Sequence, residues 1–156
     1  MKTKTEYKLY ILMRNDLPSL NAGKAMAQAA HAANALTAEW GDTYLVKAYS
    51  NSKHQFGTCI VLGVDKDTLT ARLKKAQSLE RTIPWGWVVD QTYPFNTTTE
   101  IAALIPKSRM TAPPILKEEN RVVLFRRELT CGYVLVADGS SDQKTLVGDL
   151  PLHPSE

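Results

Sequence analysis

Lys24, Gln28 and His31 stand four and three residues apart in GKAMAQAAHA, a spacing that stacks all three on one face of a helix. An ammonium, an amide and an imidazole in a row can meet negative charge, hold a polar group and exchange a proton. The segment around them is mostly alanine, so a partner can approach that face closely. Lys24 falls in the first helical turn, where the helix dipole disfavours a cation. A lysine held against that field marks a site candidate. The same stripe also reads as the solvated side of an ordinary amphipathic helix.

Such a helix needs elements to hold it. The apolar run Lys8–Arg14 predicts a strand, followed by a loop with Asp16 and Pro18 and a helix over Asn21–Glu39 that Ser19 or Asn21 can cap. Thr43–Ala48 fits a short helix or a strand. Gly57–Val64 is an apolar, β-branched run of the kind found in central strands. Asp65 and Asp67 open a helix over Thr68–Leu79. Ile83–Val89 predicts a strand ending at Asp90, Gln91–Thr98 a loop, and Thr99–Ile105 a last strand stopped by Pro106. The expected fold is α/β, with three α/β/α layers and a mixed four-stranded sheet. Asp16 and Asp90 follow the carboxyl ends of strands, where ligands sit in open α/β sheets.

Beyond Pro106 the texture changes. Residues 107–120, with Pro113 and Pro114, read as a linker. Arg121–Glu128 and Cys131–Ala137 read as the two arms of a β-hairpin turning at Leu129–Thr130. The expected organisation is an α/β domain over 1–106 and an extension over 107–156 packed on it. The hairpin can instead meet a second copy of the chain, so a homodimer stays open.

Composition narrows the classes. A chain of 156 residues with 44% hydrophobic and 22% charged residues can bury a real core. The net charge of +3 permits an anionic partner without demanding one. Cys59 and Cys131 sit in strand-like contexts and read as reduced thiols. MKTKTEYK has no signal-like apolar region and no apolar run is long enough to span a bilayer, so a cytoplasmic protein without membrane contact is expected. Gly23-Lys24 lacks the earlier glycine and following hydroxyl of a P-loop. His31, His54 and His153 lack metal-ligand spacing with the cysteines, so no metal is expected. No Ser or Cys sits in a nucleophile elbow.

Arg14, Asp16, Leu17, Gly23, Lys24, Ala27, Gln28, His31 and Ala32, ordered strand, loop, helix, resemble the signature of the type II peptidyl-tRNA hydrolases of archaea and eukaryotes. Further on, Val88–Thr92 (VVDQT) resembles that family's strand ending in Asp, and Thr98–Pro106 (TTEIAALIP) its last strand, which opens with a functional Thr. The likeness covers about residues 7–106. Where the family has Gly-Arg-Thr after the Asp, this chain has Gln91-Thr92-Tyr93-Pro94.

The resemblance implies cleavage of the ester between a peptide and the 3′ end of tRNA. That reaction needs a positioned water, a group to take its proton and positive charge at the oxyanion. By the same resemblance Asp90 orients or deprotonates water. Lys24 is its partner, stabilising the oxyanion or holding the terminal phosphate of the tRNA. Thr92 and Thr99 supply hydroxyls. Arg14, Asp16, Gln28, His31 and Arg109 are the expected substrate-binding residues, with Lys107, Arg126 and Arg127 extending a basic track. Bland alternatives stand beside these: Asp16 can hold Arg14 or a helix N-terminus, His31 can be a packing group, and the basic track can be a charged strand edge. Peptidyl-tRNA is the expected partner, and no cofactor or metal is required. The competing reading is a non-catalytic tRNA- or protein-binding protein on the same fold, suggested by the altered loop and the unmatched C-terminal third.

Overall fold

The structure, a computed structural model, describes residues 4–52, 55–79 and 83–154; His54 lies outside them. Strand β1 (Tyr7–Arg14) leads into helix α1 (Ala22–Trp40) and a short α2 (Tyr44–Ser50). Strand β2 (Thr58–Val64) and helix α3 (Lys66–Ser78) follow, then the long strand β3 (Trp85–Thr98). A five-residue α4 (Thr99–Ala103), a 3-10 turn (Lys107–Arg109) and β4 (Ala112–Glu118) precede the seventeen-residue β5 (Arg121–Ala137) and α5 (Ser141–Val147). No helix among the described residues is long and apolar enough to cross a membrane.

The local chemistry explains the elements. Asn21 caps α1 by accepting the Lys24 amide at 3.0 Å, and Asp65 caps α3 by accepting the Thr68 amide at 2.7 Å. Strand β1 is apolar on both faces because both faces are covered. Leu9, Ile11 and Met13 join one core cluster with Ala25, Ala32 and Leu36 of α1 and Val46 and Tyr49 of α2. Tyr10 and Leu12 join another with Leu69, Leu73 and Ala76 of α3 and Leu146 and Val147 of α5.

The sheet has five strands rather than the expected four. Its order is β2-β1-β5-β3, with β4 paired to β5 off that path. β1 runs parallel to β2 and antiparallel to β5, from Tyr7 opposite Ala137 to Met13 opposite Cys131. β3 follows β5 along almost its full length, from Trp85 opposite Val134 to Thr98 opposite Arg121. One edge of β5 is thus taken by β3, and the other is shared between β1 and β4.

Four sequence expectations fail together here. Arg121–Glu128 and Cys131–Ala137 form one strand instead of a hairpin, because Leu129–Thr130 offers no turn residue and both runs find partners. Gln91–Thr98 is the second half of β3 rather than a loop. Pro94, which lacks an N–H, is tolerated just beyond a register shift between Asp90 and Tyr93. Thr99–Ile105 opens as a helix, not a strand, with Thr98 capping it through the Ile101 amide at 3.3 Å. Within the expected linker, β4 turns back onto β5.

Candidate active site

The site forms where α1 packs against the middle of the β3–β5 pair, around its two register shifts. The first turn of α1 carries Lys24, whose ammonium donates to the Pro94 carbonyl oxygen at 3.1 Å and lies 5.5 Å from the centre of the Tyr93 ring. Partial burial lowers the pKa of Lys24 from its usual value, since desolvation disfavours the charged form. One turn on, Gln28 is only 3% exposed. Its Nε2 donates to Asp90 Oδ2 at 2.7 Å, and its Oε1 accepts from the Thr130 hydroxyl at 2.7 Å. Asp90 Oδ1 accepts the Thr92 amide at 2.9 Å. Both oxygens of the carboxylate are therefore held, which fixes its plane.

Two β-bulges make this arrangement possible. Val88 pairs with Cys131 but Val89 with Leu129, so Thr130 is the extra residue on β5. Bulges of this kind re-aim a side chain beside a site. The Thr130 hydroxyl is fully buried between Gln28 and the Val88 carbonyl, the latter at 3.3 Å. On β3, Asp90 pairs with Glu128 and Tyr93 with Arg126, so here the extra residue belongs to β3. In an unbroken strand, residues three apart point to opposite faces. The bulge lets Asp90 and Tyr93 both turn to α1.

Next to Thr130, burial pushes the Cys131 thiol up to about 12. It stays protonated and donates to the Gln28 carbonyl at 3.5 Å. Val88, Val89, Asp90, Gln91, Thr92 and His31 line a cleft of about 350 Å³. Among the described residues no three His, Cys, Asp or Glu side chains gather as metal ligands would.

A family model for the peptidyl-tRNA hydrolase PTH2 matches residues 7–118, most of the chain. The chain belongs to that family. It is therefore a peptidyl-tRNA hydrolase, a carboxylic ester hydrolase acting in translation, as the residues of α1 implied. A search of curated proteins found no match.

The candidate site gathers some of the expected residues and leaves others apart. Asp90, Thr92 and His31 share the cleft, and Gln28 ties Asp90 to the helix that carries Lys24. Among the described residues no ion pair joins Lys24 to Asp90; the amine rests on Pro94 and Tyr93 instead. Thr99 opens α4 and lines a different, apolar cleft with Ala102, Ile105, Met110, Val122 and Leu124. Arg109 is exposed in the 3-10 turn.

Arg14 is buried, with Nε on Asp16 at 2.7 Å and Nη1 on Glu128 at 2.7 Å and on the Leu129 carbonyl at 3.0 Å. Asp16 also accepts the Lys66 amide at the start of α3, at 3.2 Å. Burial works against the Asp16 carboxylate, but the hydrogen bonds from Arg14 and Lys66 outweigh it and hold its pKa below the usual value. Arg14 and Asp16 thus tie the end of β1 to the middle of β5 and the start of α3.

Thr130, Glu128, Tyr93 and Pro94 escaped the sequence reading. Thr130 had a visible signal, since it opens the apolar run Cys131–Ala137 much as the family's functional Thr opens its last strand. The family match ends before that run.

Proposed function

We propose that ester cleavage takes place at the Asp90 cleft, with this carboxylate orienting and deprotonating the attacking water. The observation that carries the reading is the pair of 2.7 Å hydrogen bonds by which Gln28 bridges Asp90 and Thr130. Gln28 and the Thr92 amide leave each Asp90 oxygen a free lone pair for water. The bridge also makes Thr130, rather than Thr99, the hydroxyl built into the site. The Thr92 side chain at the cleft is a second hydroxyl for the water or the tRNA 3′ end.

Lys24 supplies the positive charge. An ammonium has three donors, and the Pro94 carbonyl takes one. The others are directed at the oxyanion of the tetrahedral intermediate, where a preorganised cation is worth most. His31, exposed at the cleft rim, meets the acceptor end of the tRNA. Arg109 and the neighbouring Lys107 contact its backbone electrostatically. In the same reading the fold is three α/β/α layers, residues 107–156 belong to the folding unit of residues 1–106, and the enzyme works in the cytoplasm.

Release of an N-blocked aminoacyl group from tRNA tests this. Asp90→Asn and Lys24→Ala are each expected to lower kcat by two or more orders of magnitude, with thermal unfolding within a few degrees of wild type. Wild-type turnover in both variants would overturn the assignment.

A further inference from the structure

Among the partly buried cations, Lys24 stands apart. Arg14 is neutralised by Asp16 and Glu128, Arg126 by Glu128 at 3.0 Å, Arg72 by Asp149 at 2.8 Å and Lys8 by Asp138 at 3.0 Å. Lys24 has no carboxylate partner among the described residues. Its ammonium rests on the Pro94 carbonyl and faces the Tyr93 ring. Both come from the two residues that follow the β3 bulge, where the chain departs from its family's Gly-Arg-Thr.

We propose that Tyr93 is a positioning residue for the hydrolase reaction. Its ring, with the Pro94 carbonyl, forms an uncharged seat that aims the Lys24 ammonium while leaving its charge uncompensated. This rests on the catalytic reading of Lys24 given above. The geometry supports it in three ways. Tyr93 is 1% exposed, so its ring is enclosed by the protein. The bulge, whose extra residue the ladder does not need, is what turns that ring to α1. The Tyr93 hydroxyl is buried without a hydrogen-bond partner among the described residues, so it anchors nothing, and the ring face is the part that acts. A ring attracts an ammonium through its quadrupole without neutralising it, whereas a carboxylate would leave little field for an oxyanion.

The test compares Tyr93→Leu, Tyr93→Phe and Lys24→Ala, alone and combined. Leu keeps apolar bulk and removes the ring; Phe keeps the ring and removes the idle hydroxyl. Tyr93→Leu is expected to lower kcat about fivefold, the size of one cation–π contact. Tyr93→Phe should restore most of that loss. In the Lys24→Ala background, Tyr93→Leu should lower the residual rate no further. A purely structural Tyr93 would lower both backgrounds alike, and that result overturns the proposal, as does equal kcat for the Leu and Phe variants.

The seat is also read without activity. The Lys24 Cε–Hε NMR signals should lie upfield under the ring in wild type and Tyr93→Phe, and return to ordinary positions in Tyr93→Leu. Unshifted signals in wild type would show that the seat does not form. Shifted signals beside full turnover of Lys24→Ala would instead sink the catalytic role of Lys24 and leave the seat standing.

Discussion

The chemistry of the site comes down to how a few polar groups are kept still. Gln28 is buried, yet both ends of its amide are bonded: nitrogen to Asp90, oxygen to Thr130. Thr130→Ala would leave the Gln28 oxygen buried and unpaired, a loss of about 1–3 kcal/mol. Thr130→Ser keeps the hydroxyl and is expected to unfold in urea close to wild type, with kcat falling in the Ala variant alone. Equal stability of the Ala and Ser variants would show that the hydroxyl does not hold Gln28. Lys24, Gln28 and His31 were legible in sequence because helical spacing fixes which residues share a face. Asp90 and Thr92 were singled out by the family likeness and by an expected strand end, but β3 runs on past both to Thr98. Tyr93 was not legible, and Thr130 showed only its place before an apolar run, because each owes its direction to a bulge. A bulge is a register event between two strands, and one strand's sequence does not encode it.

At the scale of elements, the sheet is held by contacts that tolerate little change. Gly132 of β5 lies beneath α3, where an added Cβ would stand 2.2 Å from Leu73 Cδ1 and 2.9 Å from the Gly86 carbonyl oxygen. The leucine end can rotate away; the backbone oxygen cannot. Gly132→Ala is therefore expected to destabilise by about 1–3 kcal/mol through overpacking, read as a lower urea midpoint at unchanged m-value. No loss would show that α3 can shift outward at little cost. β1, α1, β2 and α3 were readable because their apolar spacing and caps agree with the final packing. The segment after Asp90 was misread because TYPFNTT carries loop composition while its pairing with β5 supplies the strand. Thr99–Ile105 reads as a short apolar run stopped by Pro106 and resembles the family's last strand, but the Thr98 cap and Glu100 in the first turn favour a helix.

For the whole molecule, the decisive element is β5. Tyr133, Val134, Leu135 and Val136 are each no more than 3% exposed. Burying one such side chain contributes about 1.5–3 kcal/mol, so these few residues rival the net stability of a whole domain, about 5–15 kcal/mol. A fragment ending at residue 118, the limit of the family match, is expected to give no cooperative thermal transition by circular dichroism. A sharp melt from that fragment would show that the N-terminal part folds without β5.

The position of β5 also sets when this enzyme can come into being. Tyr7 finds its antiparallel partner in Ala137, so the chain must leave the ribosome at least as far as β5 before β1 is enclosed. Such long-range closure slows folding and leaves the apolar β1 and β2 unprotected in the meantime. A protein that recycles tRNA for translation must itself pass through a long nascent state.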